Sequence, residues 1–208
     1  MSARRLGIFG GSFDPPHRGH LFAARAALEA FELDELRLVP AARPPHKPGR
    51  RLAEGRHRVA LLELLIAGEE RLGVDPRELG REGPSFSVDT LREIAGEEPD
   101  AQLYLVLGTD NLEGLPEWRE VEALLQLVRP IVVLREGAGE DPLASLVGRL
   151  SDAALQRLRS GLVTDATFDA SSTELQDDPE RRAGPTLPPE LERYIREHGL
   201  YDAGEAGS

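Results

Sequence analysis

The sequence predicts an α/β protein: a Rossmann-like, doubly wound, mainly parallel sheet with helices on both faces, in a single domain. Three observations predict it. Short apolar runs alternate with stretches of helical spacing along the whole chain, the order a parallel sheet requires. Leu103 to Leu107 is a continuous apolar run that stops at Gly108, as expected of a strand buried on both faces. The first apolar run ends in Gly10-Gly11 with a helical stretch close behind, the strand–turn–helix order that ligand sites in such sheets use.

The elements follow in order. Arg5 to Phe9 is a short strand, and His20 to Phe31 a helix through Leu21, Ala24, Leu28 and Phe31. Leu36 to Val39 is a second strand, followed by a proline-rich loop from Pro40 to Pro48. Arg56 to Ala67 has helical spacing through Val59, Leu62, Leu65 and Ile66. A weak strand is expected near Leu72 to Val74, then a loop with Gly80, Gly83 and Pro84, then a short helix from Ser87 to Ala95. After the strand Leu103 to Leu107, the stretch Thr109 to Leu127 holds one or two short helices around Pro116 and Trp118. Ile131 to Leu134 reads as a strand, Pro142 to Leu158 as a helix, and Leu162 to Phe168 as a last strand. Pro189 to His198 is a closing helix stopped by Gly199. Residues 1–201 are expected to form the domain, and 202–208 a frayed tail with nothing to pack. There is no internal repeat.

Composition narrows the function. The chain has 208 residues, 40% hydrophobic and 30% charged, enough apolar side chains to build a core. The absence of cysteine removes disulfide scaffolds, thiolate zinc sites and cysteine nucleophiles together. No apolar run approaches the length of a membrane span, and Met1 to Arg5 leads straight into a strand without a signal-peptide core. A soluble, cytoplasmic protein is expected. A formal net charge of −12 argues against a nucleic-acid partner. Charge is not evenly spread, however: Arg43, Lys47, Arg50, Arg51, Arg56 and Arg58, with His46 and His57, oppose only Glu54. Such a segment either draws in a small anion or is a loop of solvated arginines. Lys47 is the only lysine.

The chemistry sits in Leu6 to His20, LGIFGGSFDPPHRGH. Ligands in open α/β sheets bind beyond the carboxyl ends of strands, where helix N-termini offer N–H groups to anions. Gly10 and Gly11 allow close backbone approach, Ser12 offers a hydroxyl, and His17 and His20 open a helix three residues apart. Together these predict a nucleotide-phosphate site. It is neither a Walker loop nor the dinucleotide fingerprint, because neither glycine pattern is present. Zinc on His17 and His20 lacks a third ligand, since the nearest acid, Asp14, lies beyond Pro15-Pro16. Taken alone, the two histidines also fit a lesser alternative, helix caps with no chemistry.

GGSFDPPHRGH resembles the signature of the HxGH nucleotidyltransferase superfamily, with His17-Arg18-Gly19-His20 intact. Within it, the chain is similar to bacterial nicotinate mononucleotide adenylyltransferases over about residues 4–201. Further matching stretches are Pro44-Pro45-His46-Lys47, Pro84 to Leu91, Leu107-Gly108-Thr109-Asp110, Leu115-Pro116-Glu117-Trp118 and Tyr194 to Tyr201. The resemblance implies transfer of the adenylyl group of ATP to the phosphate of nicotinate mononucleotide, with Mg²⁺ and release of pyrophosphate, in NAD biosynthesis. No general base is needed, because the nucleophile is already an anionic phosphate. It implies that His17, His20 and Lys47 act on the reacting phosphates, with Gly10, Gly11, Ser12 and His46 lining the ATP cradle. Asp110 is implied at ribose hydroxyls, Trp118 on the pyridine ring, and backbone N–H groups near Ser87 and Arg119 at the nicotinate carboxylate. Mg²⁺ is expected on the phosphates, with no protein side chain as ligand.

One stretch departs from the family pattern. Ser171, Ser172 and Thr173 keep the hydroxyls of an ATP-gripping motif, but its arginine position holds Gln176, followed by Asp177 and Asp178. The expectation is an active enzyme with a weakened hold on ATP, unless Arg181 or Arg182 substitutes. Two other readings compete: a related nucleotidyltransferase with another phosphate acceptor, which Lys47 and Trp118 argue against, and a mononucleotide binder without catalysis.

Overall fold

Six parallel strands form one sheet in the computed structural model, which describes residues 3–45, 52–134, 141–164 and 186–201. The strands are β1 (Arg5–Gly11), β2 (Glu35–Pro40), β3 (Leu72–Val74), β4 (Gln102–Gly108), β5 (Arg129–Val133) and β6 (Leu162–Val163). Their order across the sheet is β3-β2-β1-β4-β5-β6. The helices are α1 (Arg18–Ala30), α2 (Gly55–Leu65), α3 (Ser87–Glu97), α4 (Val121–Leu127), α5 (Asp152–Ser160) and α6 (Pro189–Glu197). The order reverses between β1 and β4, the doubly wound arrangement the sequence predicts, with its switch point between those two strands.

Alternation along the strands builds two cores. Leu6 and Ile8 of β1, and Leu103, Leu105 and Leu107 of β4, pack on one face with α3, α4 and α5. Phe9, Tyr104 and Val106 turn to the other face, against α1, α2 and α6. This is the period-2 geometry of a strand covered on both sides. On α1 the buried residues Ala24, Ala27 and Leu28 recur at helical spacing.

Several boundaries differ from expectation for identifiable reasons. The helix expected over Pro142 to Leu158 is instead a 3₁₀ turn, Ala144–Leu146, and a separate helix, α5. Gly148 takes a left-handed φ of 77°, and Ser151 then starts α5 afresh by accepting the Ala154 N–H at 3.2 Å. β5 begins earlier than expected and includes Pro130, at a point where no β6 residue pairs with it. Gly161 is obligatory there, since a Cβ would lie 1.9 Å from the Pro130 carbonyl oxygen. Between β4 and α4 the chain makes two 3₁₀ turns, Thr109–Asn111 and Leu115–Glu117. β6 spans Leu162–Val163 and stops short of Thr164, while residues 165–168 of the strand expected there lie outside the described residues, as does the tail 202–208. No helix among the described residues is long and apolar enough to cross a membrane.

Candidate active site

The sheet splits where the site is expected. β1 and β4 pair only as far as Ile8 and Leu105. Beyond that point Phe9, Gly10 and Gly11 stay with β2, while Val106, Leu107 and Gly108 stay with β5. The carboxyl ends of the two central strands thus diverge, leaving a crevice at the topological switch point.

His17 and His20 stand on one side of it, at the start of α1. His17 is 4% exposed and caps the helix: its Nδ1 accepts the Gly19 N–H at 3.1 Å. His20 Nδ1 accepts the His17 N–H at 3.2 Å, and the ring centroids lie 3.8 Å apart. Capping and ligand chemistry are therefore compatible. With both Nδ1 atoms accepting, each neutral ring carries its proton on Nε2, an N–H donor of the kind an anionic phosphate oxygen takes. Phe13 braces the pair, its ring edge-on to His20 at 4.9 Å.

The two glycines of the turn differ in purpose. A Cβ on Gly10 would meet no atom within 4 Å among the described residues beyond its chain neighbours, which suits close approach of a ligand. A Cβ on Gly11 would press on the Phe13 ring at 3.1–3.3 Å, so smallness there serves packing rather than phosphate approach.

A second group forms a hollow beyond β4, lined by Pro45, Phe86, Ser87, Trp118, Arg119 and Leu124. Trp118 is half-buried and follows the second 3₁₀ turn. The Arg119 guanidinium lies over the Phe86 ring, 4.9 Å from its centroid, and 3.3 Å from an Asp89 carboxylate oxygen. α3 begins at Ser87 with no side-chain cap from Phe86, and while the Asp89 N–H donates to the Phe86 carbonyl at 3.1 Å, those of Ser87 and Val88 face a ligand or water. Asp110 lies exposed in the turn directly after β4. Among the described residues, no three His, Cys, Asp or Glu side chains are gathered to hold a metal ion.

Comparison with known proteins bears directly on this arrangement. A cytidylyltransferase-like family model matches residues 8–177. A probable nicotinate-nucleotide adenylyltransferase of Synechococcus sp. (strain JA-3-3Ab) is 40% identical over 200 residues, 95% of each chain. The chain belongs to the cytidylyltransferase-like family, among its nicotinate-nucleotide adenylyltransferases. A second such relative, from Pseudomonas aeruginosa (strain PAO1), is 39% identical over 211 residues, with 96% of this chain and 98% of the relative covered. The fold is also that of the Plasmodium falciparum nicotinic acid mononucleotide adenylyltransferase complexed with NaAD, with a TM-score of 0.73, 18% identity, and 96% and 98% coverage.

For this adenylyltransferase family member, the expected residues fall into three sets. Gly10, Gly11, Ser12, His17 and His20 come together after β1, and Ser87, Trp118 and Arg119 come together at the hollow. His46, Lys47, Ser171, Ser172, Thr173, Gln176, Asp177, Asp178, Arg181 and Arg182 lie outside the described residues.

Sequence reasoning missed residues that hold the rim together. Ser85 Oγ accepts the N–H groups of Ala42 and Arg43 at 2.9 and 3.2 Å, tying the loop after β2 to the start of α3. Phe13 takes a positive φ of 47°, a conformation nothing in its sequence neighbourhood signals. Arg58, grouped by sequence with the basic loop, is 2% exposed and faces inward. The sequence clue was its position on the apolar face of α2, four residues before Leu62.

Proposed function

We propose that this chain transfers the adenylyl group of ATP to the phosphate of nicotinate mononucleotide, forming nicotinate adenine dinucleotide and pyrophosphate for NAD synthesis. A phosphate oxygen of the mononucleotide attacks the α-phosphorus of ATP. The bond from that phosphorus to the bridging oxygen of the β-phosphate breaks, and the electron pair leaves with pyrophosphate. The observation that carries the reading is the His17–His20 pair, with both Nδ1 atoms engaged by the first turn of α1 at the mouth of the β1/β4 split. The family's curated relatives support the same reaction.

In this reading His17 and His20 donate Nε2–H to α- and β-phosphate oxygens, where negative charge gathers as the bond breaks. Gly10, Gly11 and Ser12 line the cradle, and His46 and Lys47 close over the phosphates from the loop after β2. Ser171, Ser172 and Thr173 meet the ATP tail. Asp110 receives ribose hydroxyls, Trp118 stacks on the pyridine ring, and backbone N–H groups at Ser87 and Arg119 take the carboxylate. A magnesium ion held by the ATP phosphates, with no side chain of this chain as ligand, would offset charge on the leaving pyrophosphate. Residues 1–201 work as one unit in the cytoplasm.

The test is pyrophosphate release from purified protein with Mg-ATP and, separately, nicotinate mononucleotide, nicotinamide mononucleotide and phosphopantetheine. Release with nicotinate mononucleotide, reduced about 100- to 1,000-fold in kcat by His17→Ala or His20→Ala, is the expected result. Release with phosphopantetheine alone would overturn the acceptor, and silence with all three would overturn the reaction.

A further inference from the structure

Arg58 is the largest fully buried side chain among the described residues. Its hydrogen bonds run to three backbone carbonyls: Nε donates to Ala53 at 2.9 Å, and Nη1 donates to Ser12 and to Ala41 at 2.8 Å each. Those carbonyls belong to three separate segments, the turn after β1, the end of β2 and the approach to α2. One planar cation therefore holds together the strand ends that form the phosphate side of the crevice. Burial pushes the Arg58 guanidinium down from its ordinary range, and the negative charge of Asp14 pulls it back up.

Asp14 is itself 2% exposed. Its Oδ1 accepts the Ala53 N–H at 3.2 Å and the Tyr201 hydroxyl at 2.5 Å. Tyr201 stands 187 positions further along, after α6, in a left-handed conformation with φ 62°. The same closing segment also meets α1, where the Arg18 N–H donates to the Thr186 carbonyl at 3.0 Å. The end of the fold thus reaches back to the turn that carries the phosphate-binding residues.

We propose that Arg58 and Asp14, completed by Tyr201, are positioning residues that set the Gly10–Ser12 turn for the phosphates of ATP. They touch no substrate. Holding the Ser12 carbonyl fixes the peptide planes of the turn, and so the directions in which its N–H groups and hydroxyl meet an anion. The mononucleotide side is built on Ser87, Trp118 and Arg119, and meets the Ala41 segment of this network only at its edge, where the Ser85 hydroxyl accepts the Ala42 and Arg43 N–H groups. Loss of the network therefore weakens ATP selectively. The inference rests on the adenylyl-transfer reading for the identity of the phosphate ligand.

The test is the Tyr201→Phe variant, which removes one oxygen near the end of the chain. Wild type and variant are compared by calorimetric binding of Mg-ATP and of nicotinate mononucleotide, by pyrophosphate release, and by Tm. The expected result is an ATP Kd and KM raised about tenfold, with mononucleotide affinity and kcat unchanged. Arg58→Lys, which keeps the charge but cannot span three carbonyls, should raise the ATP Kd further. An ATP Kd unchanged in Tyr201→Phe, whatever its Tm, would overturn the inference, as would equal weakening of both ligands. A wild-type chain that binds Mg-ATP but releases no pyrophosphate would instead sink the functional reading, and the binding comparison would still decide the network.

Discussion

At the scale of single residues, the site uses few side chains and sets each in place through its neighbours. His17 and His20 cap one another's helix turn, so their orientation costs little beyond forming α1. Trp118 is half-buried and lines the same hollow as Phe86 and Arg119. Trp118→Ala should raise the mononucleotide KM about 10- to 100-fold, the usual worth of an aromatic stack, and leave the ATP KM within about twofold. Steady-state kinetics with each substrate varied would show this; an unchanged mononucleotide KM would place the ring elsewhere. In the proposed ATP site the family resemblance assigns the position of Gln176 to an arginine, and a charge-assisted phosphate contact is worth about 1.5–3 kcal/mol. Gln176→Arg should therefore lower the ATP KM about 10- to 100-fold. An unchanged or higher KM would end that account. Both histidines could be picked out from GGSFDPPHRGH, but the use of their Nδ1 atoms could not, because it depends on backbone directions.

At the scale of elements, the seam between α2 and α6 is sensitive to pH. His57 Nδ1 lies 3.0 Å from the Tyr194 hydroxyl, and its ring centroid is 5.2 Å from that of His198. Burial first, then the charges of Arg56 and His198, hold its pKa below the ordinary 6.5, with Glu54 pulling the other way. The folded chain binds this proton less readily than the unfolded chain does. The seam's contribution is therefore complete above the unfolded value and declines as pH falls through the lowered one. Thermal melts taken between about pH 8 and pH 5 should lose stability more steeply in wild type than in His57→Gln, and equal slopes would refute the assignment. The helices and strands themselves were largely visible beforehand, since apolar spacing marks a buried face. The break before α5 was not, because a helical spacing through Leu146, Leu150, Ala154 and Leu158 hides the turn that Gly148 makes.

At the scale of the whole molecule, both substrates are anions and the chain carries a net charge of −12, so binding must come from local geometry. The crevice between diverging strands supplies it in the proposed site, which takes ATP after β1 and the mononucleotide beyond β4. Ligands that bind only the folded state raise its stability by mass action. Mg-ATP at about 100 times its Kd should add about 2.7 kcal/mol, or about 5–10 °C in Tm for a chain of this size. The mononucleotide should add a separate increment. A Tm indifferent to millimolar ATP would contradict the proposed site.

The sequence alone determined the doubly wound parallel sheet, the glycine turn and helix start that follow its first strand, and the family. Those depend on local periodicity and on residues close together along the chain, such as Gly10 to His20. Only the tertiary structure decided which carbonyls Arg58 meets, that Gly11 is small for the sake of Phe13, and that Tyr201 closes on Asp14. Each joins segments far apart in sequence, and a buried hydrogen bond depends on where backbone carbonyls meet in space. An arginine in a basic run carries no sign that three such carbonyls are waiting for it.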